Sequence, residues 1–269
     1  MDEINSVMVG FHMNILCFLT ALLSTLIGSL SGLGGGVIIK PVLDTLFFSR
    51  LPLAEINLLS SLTVFVMAVL STVKAHQSDV QLDKKIILPL SISSGIGGLL
   101  GDTLFQKFLR IFPEELCRHF QSRALLFLMV SLLILHLFSE KIPARSIRNV
   151  WATALCGLCL GTASSFFGIG GGPLNVVVLT LLFHLEKRQC VFGSLSIIMF
   201  AQGIKLVNSI LIQQLWFSSG LLPVWMVIGG ILGGWIGSRS ALLVSERKIG
   251  HIFSMAMVFV IILNLANSF

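Results

Sequence analysis

Two strings of near-continuous glycine, Gly32-Leu33-Gly34-Gly35-Gly36 and Gly168-Ile169-Gly170-Gly171-Gly172, each close a long apolar run, 136 residues apart. A helix does not continue through such a string, because glycine loses the most backbone entropy on becoming helical. In lipid a broken helix exposes N–H and C=O groups that hydrocarbon cannot satisfy, so the break must lie against protein or a water-filled cavity. Paired breaks in corresponding halves of an apolar chain point to the substrate site of a secondary transporter.

The rest of the chain agrees with a membrane setting. Its 269 residues are 55% hydrophobic and 11% charged, with a mean hydropathy of +0.96. Soluble domains carry about 25% charged residues. Apolar runs of roughly 20 residues, the length that spans a bilayer core of about 30 Å, recur throughout. The net charge of +6 lies in short loops between these runs, as at cytoplasmic membrane faces. It forms no basic stripe with interleaved aromatics, so nucleic acid is not an expected partner. Asp2 and Glu3 precede the first run with no basic residue, unlike a cleavable signal peptide, so that run is expected to remain.

Apolar segments fall at 11–31, 37–48, 56–73, 86–108, 122–139, 150–167, 173–185, 190–212, 220–243 and 249–267. The runs 37–48 and 173–185 directly follow the glycine strings and are too short to cross alone, so they are expected as half-helices. Pro173 suits a first helical position; in the first half Val37 holds that place, with Pro41 expected in the opening turn. The repeat continues in Gly97-Gly98-Leu99-Leu100-Gly101 against Gly233-Gly234-Trp235-Ile236-Gly237, and in Ser61-Leu62-Thr63 against Ser194-Leu195-Ser196. The expected fold is all-α integral membrane, with about eight transmembrane helices and two glycine-broken segments. It divides into homologous, pseudo-symmetric halves, 1–140 and 146–269, that together form one transporter domain around the linker Ser139–Arg148.

Loop charges bear on topology. If each broken segment is a hairpin returning to its starting side, the halves are inverted. One side then holds five Lys and Arg residues (Arg50, Lys107, Arg110, Arg118, Arg123) and the other eleven. The parallel alternative divides them six to ten. The positive-inside rule prefers the inverted repeat with both termini outside.

Small residues at four-residue spacing let helices approach closely in lipid, which accounts for Gly97/Gly101, Gly157/Gly161, Gly230/Gly234 and Gly233/Gly237. Three consecutive glycines exceed what packing needs. Gly32, Gly34, Gly35 and Gly36, with Gly168, Gly170, Gly171 and Gly172, are therefore expected to form substrate-binding loops. The half-helices that follow present unpaired N–H groups and about +0.5 charge, a setting for an anion. The spacing matches neither G-x-G-x-x-G nor the P-loop.

Lys40 on the first half-helix could attract an anion, or pair locally with Asp44. Ser61, Ser194 and Asn175 lie in or just after the breaks and could bond substrate oxygens, as could Asn57, Ser60, Thr63 and Ser196. Helix–helix hydrogen bonding is the commoner use of such groups. Lys205, near Gln202 and Asn208, is a further buried-charge candidate, while Asp102 is expected near the interface as a weak proton carrier. Cys156 and Cys159 have C-x-x-C spacing inside an apolar helix, which leaves open a membrane accessory, redox or metal-handling role. No basic neighbour or second pair supports it, and structural cysteine is preferred. The scattered histidines give no metal-ligand spacing, and no cofactor is expected. Trp151 and Trp216 sit near segment ends, where interfacial anchors occur.

The strings Gly32–Leu43 (GLGGGVIIKPVL) and Gly168–Leu179 (GIGGGPLNVVVL), with the two later glycine blocks, resemble the TauE/SafE family of sulfite-exporter-like transporters over nearly the whole chain. The resemblance implies a non-enzymatic multi-pass protein of bacterial plasma-membrane type. It would export sulfite, sulfonate or another small organic or sulfur anion, with a proton or sodium ion as a possible coupling ion. The family's glycine loops map onto the eight loop glycines named above, while Lys40 and Asn175 depart from the apolar residues that often follow them.

Overall fold

The computed structural model describes residues 2–46, 51–78, 80–139, 147, 149–212, 217 and 219–266. Arg50 and Trp216, invoked above for topology and anchoring, lie outside them, as do Glu140, Lys141, Arg145 and Arg148 of the linker. The described residues form ten α-helices: α1 (Asp2–Ser31), α2 (Gly36–Leu46), α3 (Leu53–His76), α4 (Lys84–Ile111), α5 (Glu114–Leu137), α6 (Val150–Phe167), α7 (Gly172–Phe183), α8 (Lys187–Val207), α9 (Leu222–Leu243) and α10 (Glu246–Ala266). A π-helical turn, Asn208–Ile212, extends α8. Eight of these helices are long and apolar enough to cross a membrane. The other two, α2 and α7, are the half-helices expected after the glycine strings.

Some ends differ from the apolar runs for local reasons. Helix α5 starts eight residues before its run, because Pro113 precedes a first turn carrying Glu114 and Glu115, charges that suit the positive end of a helix dipole. Helix α2 starts at Gly36, so Pro41 is its sixth residue and lies inside it. The missing Pro41 N–H leaves the Val37 carbonyl without its usual partner there.

The expected close packing is present. A Cβ built on Gly97, Gly101, Gly157 or Gly161 would collide with the facing backbone or side chain across the α4–α6 contact. Gly97 meets Leu158, Gly101 meets Thr162, Gly157 meets Leu90 and Gly161 meets Ser94, so α4 and α6 run parallel. Helices α1 and α9 do the same, with Gly229 on Phe18, Gly233 on Leu22 and Gly237 on Leu26. On the other face of α9, Gly230 and Gly234 rest on Thr63 and Met67 of α3. Lipid gives helices no hydrophobic reason to associate, so this backbone approach and its dispersion contacts hold them.

The central layer is α3 and α8, packed against each other and against α9 and α4 respectively. Helices α5 and α10 cross on the outside, where Ser122 Oγ donates to the Asn264 carbonyl and His136 packs on Phe253. Trp151, Leu155 and Phe127 face outward and are exposed, as lipid-facing residues are.

Candidate functional site: two glycine loops in contact

The two strings form matching loops. Gly32, Gly34 and Gly35 have φ of 80°, 81° and 68°, and Gly168, Gly170 and Gly171 have 68°, 74° and 80°. This left-handed region is costly for residues with a Cβ, which explains why both strings carry glycine at the same three places. Gly34 N–H donates to the Gly28 carbonyl and Ile169 N–H to the Ser164 carbonyl, folding each loop back on its preceding helix.

The loops touch. A Cβ on Gly172 would fall within the Leu33 carbonyl, and one on Gly36 would lie 3.0 Å from the Ile169 oxygen. Leu33 with Gly36 and Ile169 with Gly172 are the same pair of repeat positions, so each loop uses the same residues against the other. All ten loop residues are buried. Helices α2 and α7 both start at this contact, where the Gly36 amide donates to the Gly34 carbonyl and the Ile38 and Ile39 amides to that of Gly35, while the dipole of each helix leaves its positive end here.

The side chains around the contact differ between the halves. Lys40 Nζ donates to Gln121 Oε1 (2.5 Å) and to the Phe167 carbonyl (2.7 Å), while Gln121 Nε2 donates to the Phe166 carbonyl. Lys40 is therefore fixed at the end of α6, beside Gly168, and Asp44 bonds Arg118 instead. Ser194 Oγ donates to the Gly32 carbonyl at 2.7 Å, and Ser61 Oγ to the Asn57 carbonyl one turn back. Asn175 is buried with its amide nitrogen near Gly171. Of the side chains expected at the site, Lys40, Ser194 and Asn175 meet the loops directly, whereas the Ser61 hydroxyl is bonded within its own helix.

Two cavities flank the half-helices, one against α2 and the other against α7. One, of about 230 Å³, is lined by Lys40, Asp44, Arg118, Gln121 and Asn264 among others. The second, of about 530 Å³, has Ser31, Val176, Thr180, His184, Lys187 and Arg247 in its lining. Val176 and Thr180 stand 136 positions from Lys40 and Asp44, so equivalent faces of the two half-helices line the two cavities. Arg118 seals part of the first, bonding Asp44 and Glu114 at 2.8 Å each, and Glu114 also accepts from the Leu53 amide.

Gln121 and Arg118 were not distinguishable as site residues by sequence. Gln121 sits one position before an apolar run, and Arg118 reads as an ordinary loop charge. Asp102 is buried inside the protein, accepting from Asn208 Nδ2 at 3.2 Å and Ser209 Oγ at 3.4 Å. Cys156 and Cys159 are free thiols, the latter exposed. Among the described residues no group of three His, Cys, Asp or Glu could hold a metal ion.

Eight membrane-length helices around two broken, buried segments define a multi-pass membrane transporter. The family model for the sulfite exporter TauE/SafE matches residues 17–264, and the chain belongs to that family. Two Bacillus subtilis (strain 168) proteins described as probable membrane transporters are similar to it. YdhB is 25% identical over 225 residues, covering 81% of this chain and 86% of its own. YunE is 25% identical over 270 residues, covering 90% and 92%. No solved structure matches the chain. The family and its helices place the protein in the cell membrane.

Proposed function

We propose that the protein is a secondary exporter of a small anion of the sulfite, sulfonate or organic-acid type, bound where the two glycine loops meet. The observation that carries this reading is the buried loop contact, with the N-termini of α2 and α7 converging on it and Lys40 fixed beside it. Amide donors, helix N-termini and an ammonium group all favour negative charge.

The halves would be an inverted repeat, 1–140 against 146–269. Several contacts support this. Helices α1 and α3 both run parallel to α9, and α4 is parallel to α6. A short connection, 77–83, reverses direction between α3 and α4, so α1 and α6 oppose one another. Ser122 on Asn264 and His136 on Phe253 make α5 antiparallel to α10. Each cavity would then open to a different side, the larger one to the face with eleven basic residues, the cytoplasmic face. Rocking one half against the other would expose the loops alternately, with a proton or sodium gradient as the driving ion.

Flux into proteoliposomes tests the reading. Sulfite, methanesulfonate and lactate should be offered separately, with choline as a cation control and with imposed proton or sodium gradients. Protein-dependent movement of at least one anion, accelerated by a gradient, is the expected result. Movement of none of the three anions would contradict it.

A further inference from the structure

Buried polar groups in native proteins nearly always have partners, and those that do not call for an explanation. Four side chains near the second glycine loop lack any hydrogen-bond partner among the described residues: Asn57 (both amide atoms), Ser165 Oγ, Gln202 Nε2 and Lys205 Nζ. Each is 2% exposed or less. The contacts place them together. A Cβ on Gly168 would meet Asn57 Oδ1 and lie 3.3 Å from Lys40 Nζ. One on Gly170 would lie 3.9 Å from Gln202 Nε2. Ser165 is three residues before Gly168, and its hydroxyl lies 3.3 Å from the corresponding point on Gly98, which also contacts Ala201 beside Gln202. Lys205, one turn beyond Ala201 on α8, is near enough to Asp102 and to Lys40 for their charges to act on it.

We infer that these side chains form an asymmetric oxyanion pocket against the second glycine loop, so that the transported ion is held by one half's loop rather than shared equally. The inference rests on the anion-transport reading above and names the residues that would perform it. Asn57 Nδ2, Ser165 Oγ–H, Gln202 Nε2 and Lys205 Nζ are all donors, matched to a small ion whose oxygens only accept. Asn57 Oδ1 lies close to Lys40 and could receive its ammonium group when it leaves Phe167. The first loop has no equivalent set. Val176 stands in the place of Lys40, Thr72 in that of Lys205 at the Ser61–Ser194 offset, and Ser194 is already bonded to Gly32. Val64 lies between the loops, its methyls against Gly36 and Gly170, and limits the ion to a compact one.

The test is equilibrium binding of sulfite to the purified full-length protein in detergent, with methanesulfonate and lactate as alternative probes and thermal unfolding measured alongside. Gln202→Ala and Lys205→Met should each weaken binding tenfold or more. Lys205→Met keeps the buried volume and removes only an unpaired ammonium, so its midpoint of unfolding should hold or rise, whereas Gln202→Ala also leaves a cavity that by itself lowers the midpoint. A merely structural role of Lys205 would lower affinity and midpoint together. Thr72→Val should bind within twofold of wild type. Folded Gln202→Ala and Lys205→Met variants that bind within twofold would overturn the pocket while leaving anion transport standing. Wild-type protein that binds none of the three anions would overturn the anion reading and the pocket with it.

Discussion

Lys40 reaches across the molecule to Phe167, its Nζ 2.7 Å from the carbonyl oxygen of the residue preceding the second glycine loop. This bond ties a half-helix of one half to the broken helix of the other. Gln121 completes it, accepting from Lys40 and donating to Phe166. The corresponding positions in the other half, Val176 and Ser31, cannot form it. The Lys40 bridge beside the smaller cavity therefore has no counterpart beside the larger one.

Replacing Lys40 by Met leaves the Gln121 and Phe167 oxygens buried without that donor, at a cost of about 1–3 kcal/mol for each unsatisfied group. Thermal unfolding in detergent should show the loss, and anion flux in proteoliposomes should fall. A midpoint equal to wild type would remove the bond from the account of stability.

Asp44 and Arg118 should be energetically coupled. Arg118 is buried and also bonds Glu114 and the Leu51 carbonyl, so losing Asp44 alone leaves it partly paired. The double variant Asp44→Asn with Arg118→Gln should lose less stability than the two single substitutions summed. A double-mutant cycle should give a coupling of about 1–3 kcal/mol, within the range for contacting residues. A coupling near zero would show that solvent screens the pair.

The helix contacts depend on bare backbone. Gly161→Val would drive its side chain into the Ser94 backbone, and overpacking of this kind costs about 1–3 kcal/mol or more. Gly250→Ala meets only the Lys187 side chain, its ammonium nitrogen 3.2 Å away, which can move. Unfolding midpoints should fall clearly for the first and little for the second. Equal effects would contradict the interlocked α4–α6 contact.

A topology reporter fused after Phe269 should read as external, because the inverted arrangement puts both termini opposite the face carrying most of the Lys and Arg. A cytoplasmic readout would reverse the assignment of the two cavities.

Much of the fold was legible because lipid imposes simple constraints. Run lengths marked the eight spans, and consecutive glycines marked Ser31 and Phe167 as helix ends. Four-residue spacing identified Gly97, Gly101, Gly157 and Gly161 as packing positions before their neighbours were known. The expected contact of the two loops also required only the repeat. Side-chain partnerships were less legible, because they join residues far apart in sequence. Lys40 looked equally able to pair with Asp44 four residues on, and its bonds to Gln121 and Phe167 depend on how α5 and α6 pack. The place of Asp102 late in α4 gave no hint of its partners, Asn208 and Ser209, which the π-turn at Asn208–Ile212 brings over it. Asn57 and Gln202 carried no signal beyond polarity in an apolar run.

The most direct test of the central claim, that the anion binds where the glycine loops meet, is the sulfite affinity of Gly170→Ala. The added methyl would lie 3.3 Å from Val64 and 3.9 Å from Gln202, which fills the loop surface without a backbone collision. Its φ of 74° adds strain of roughly 1–2 kcal/mol, so folding should be confirmed by thermal unfolding. The account predicts at least a tenfold weaker dissociation constant in folded protein, and an unchanged constant would contradict it.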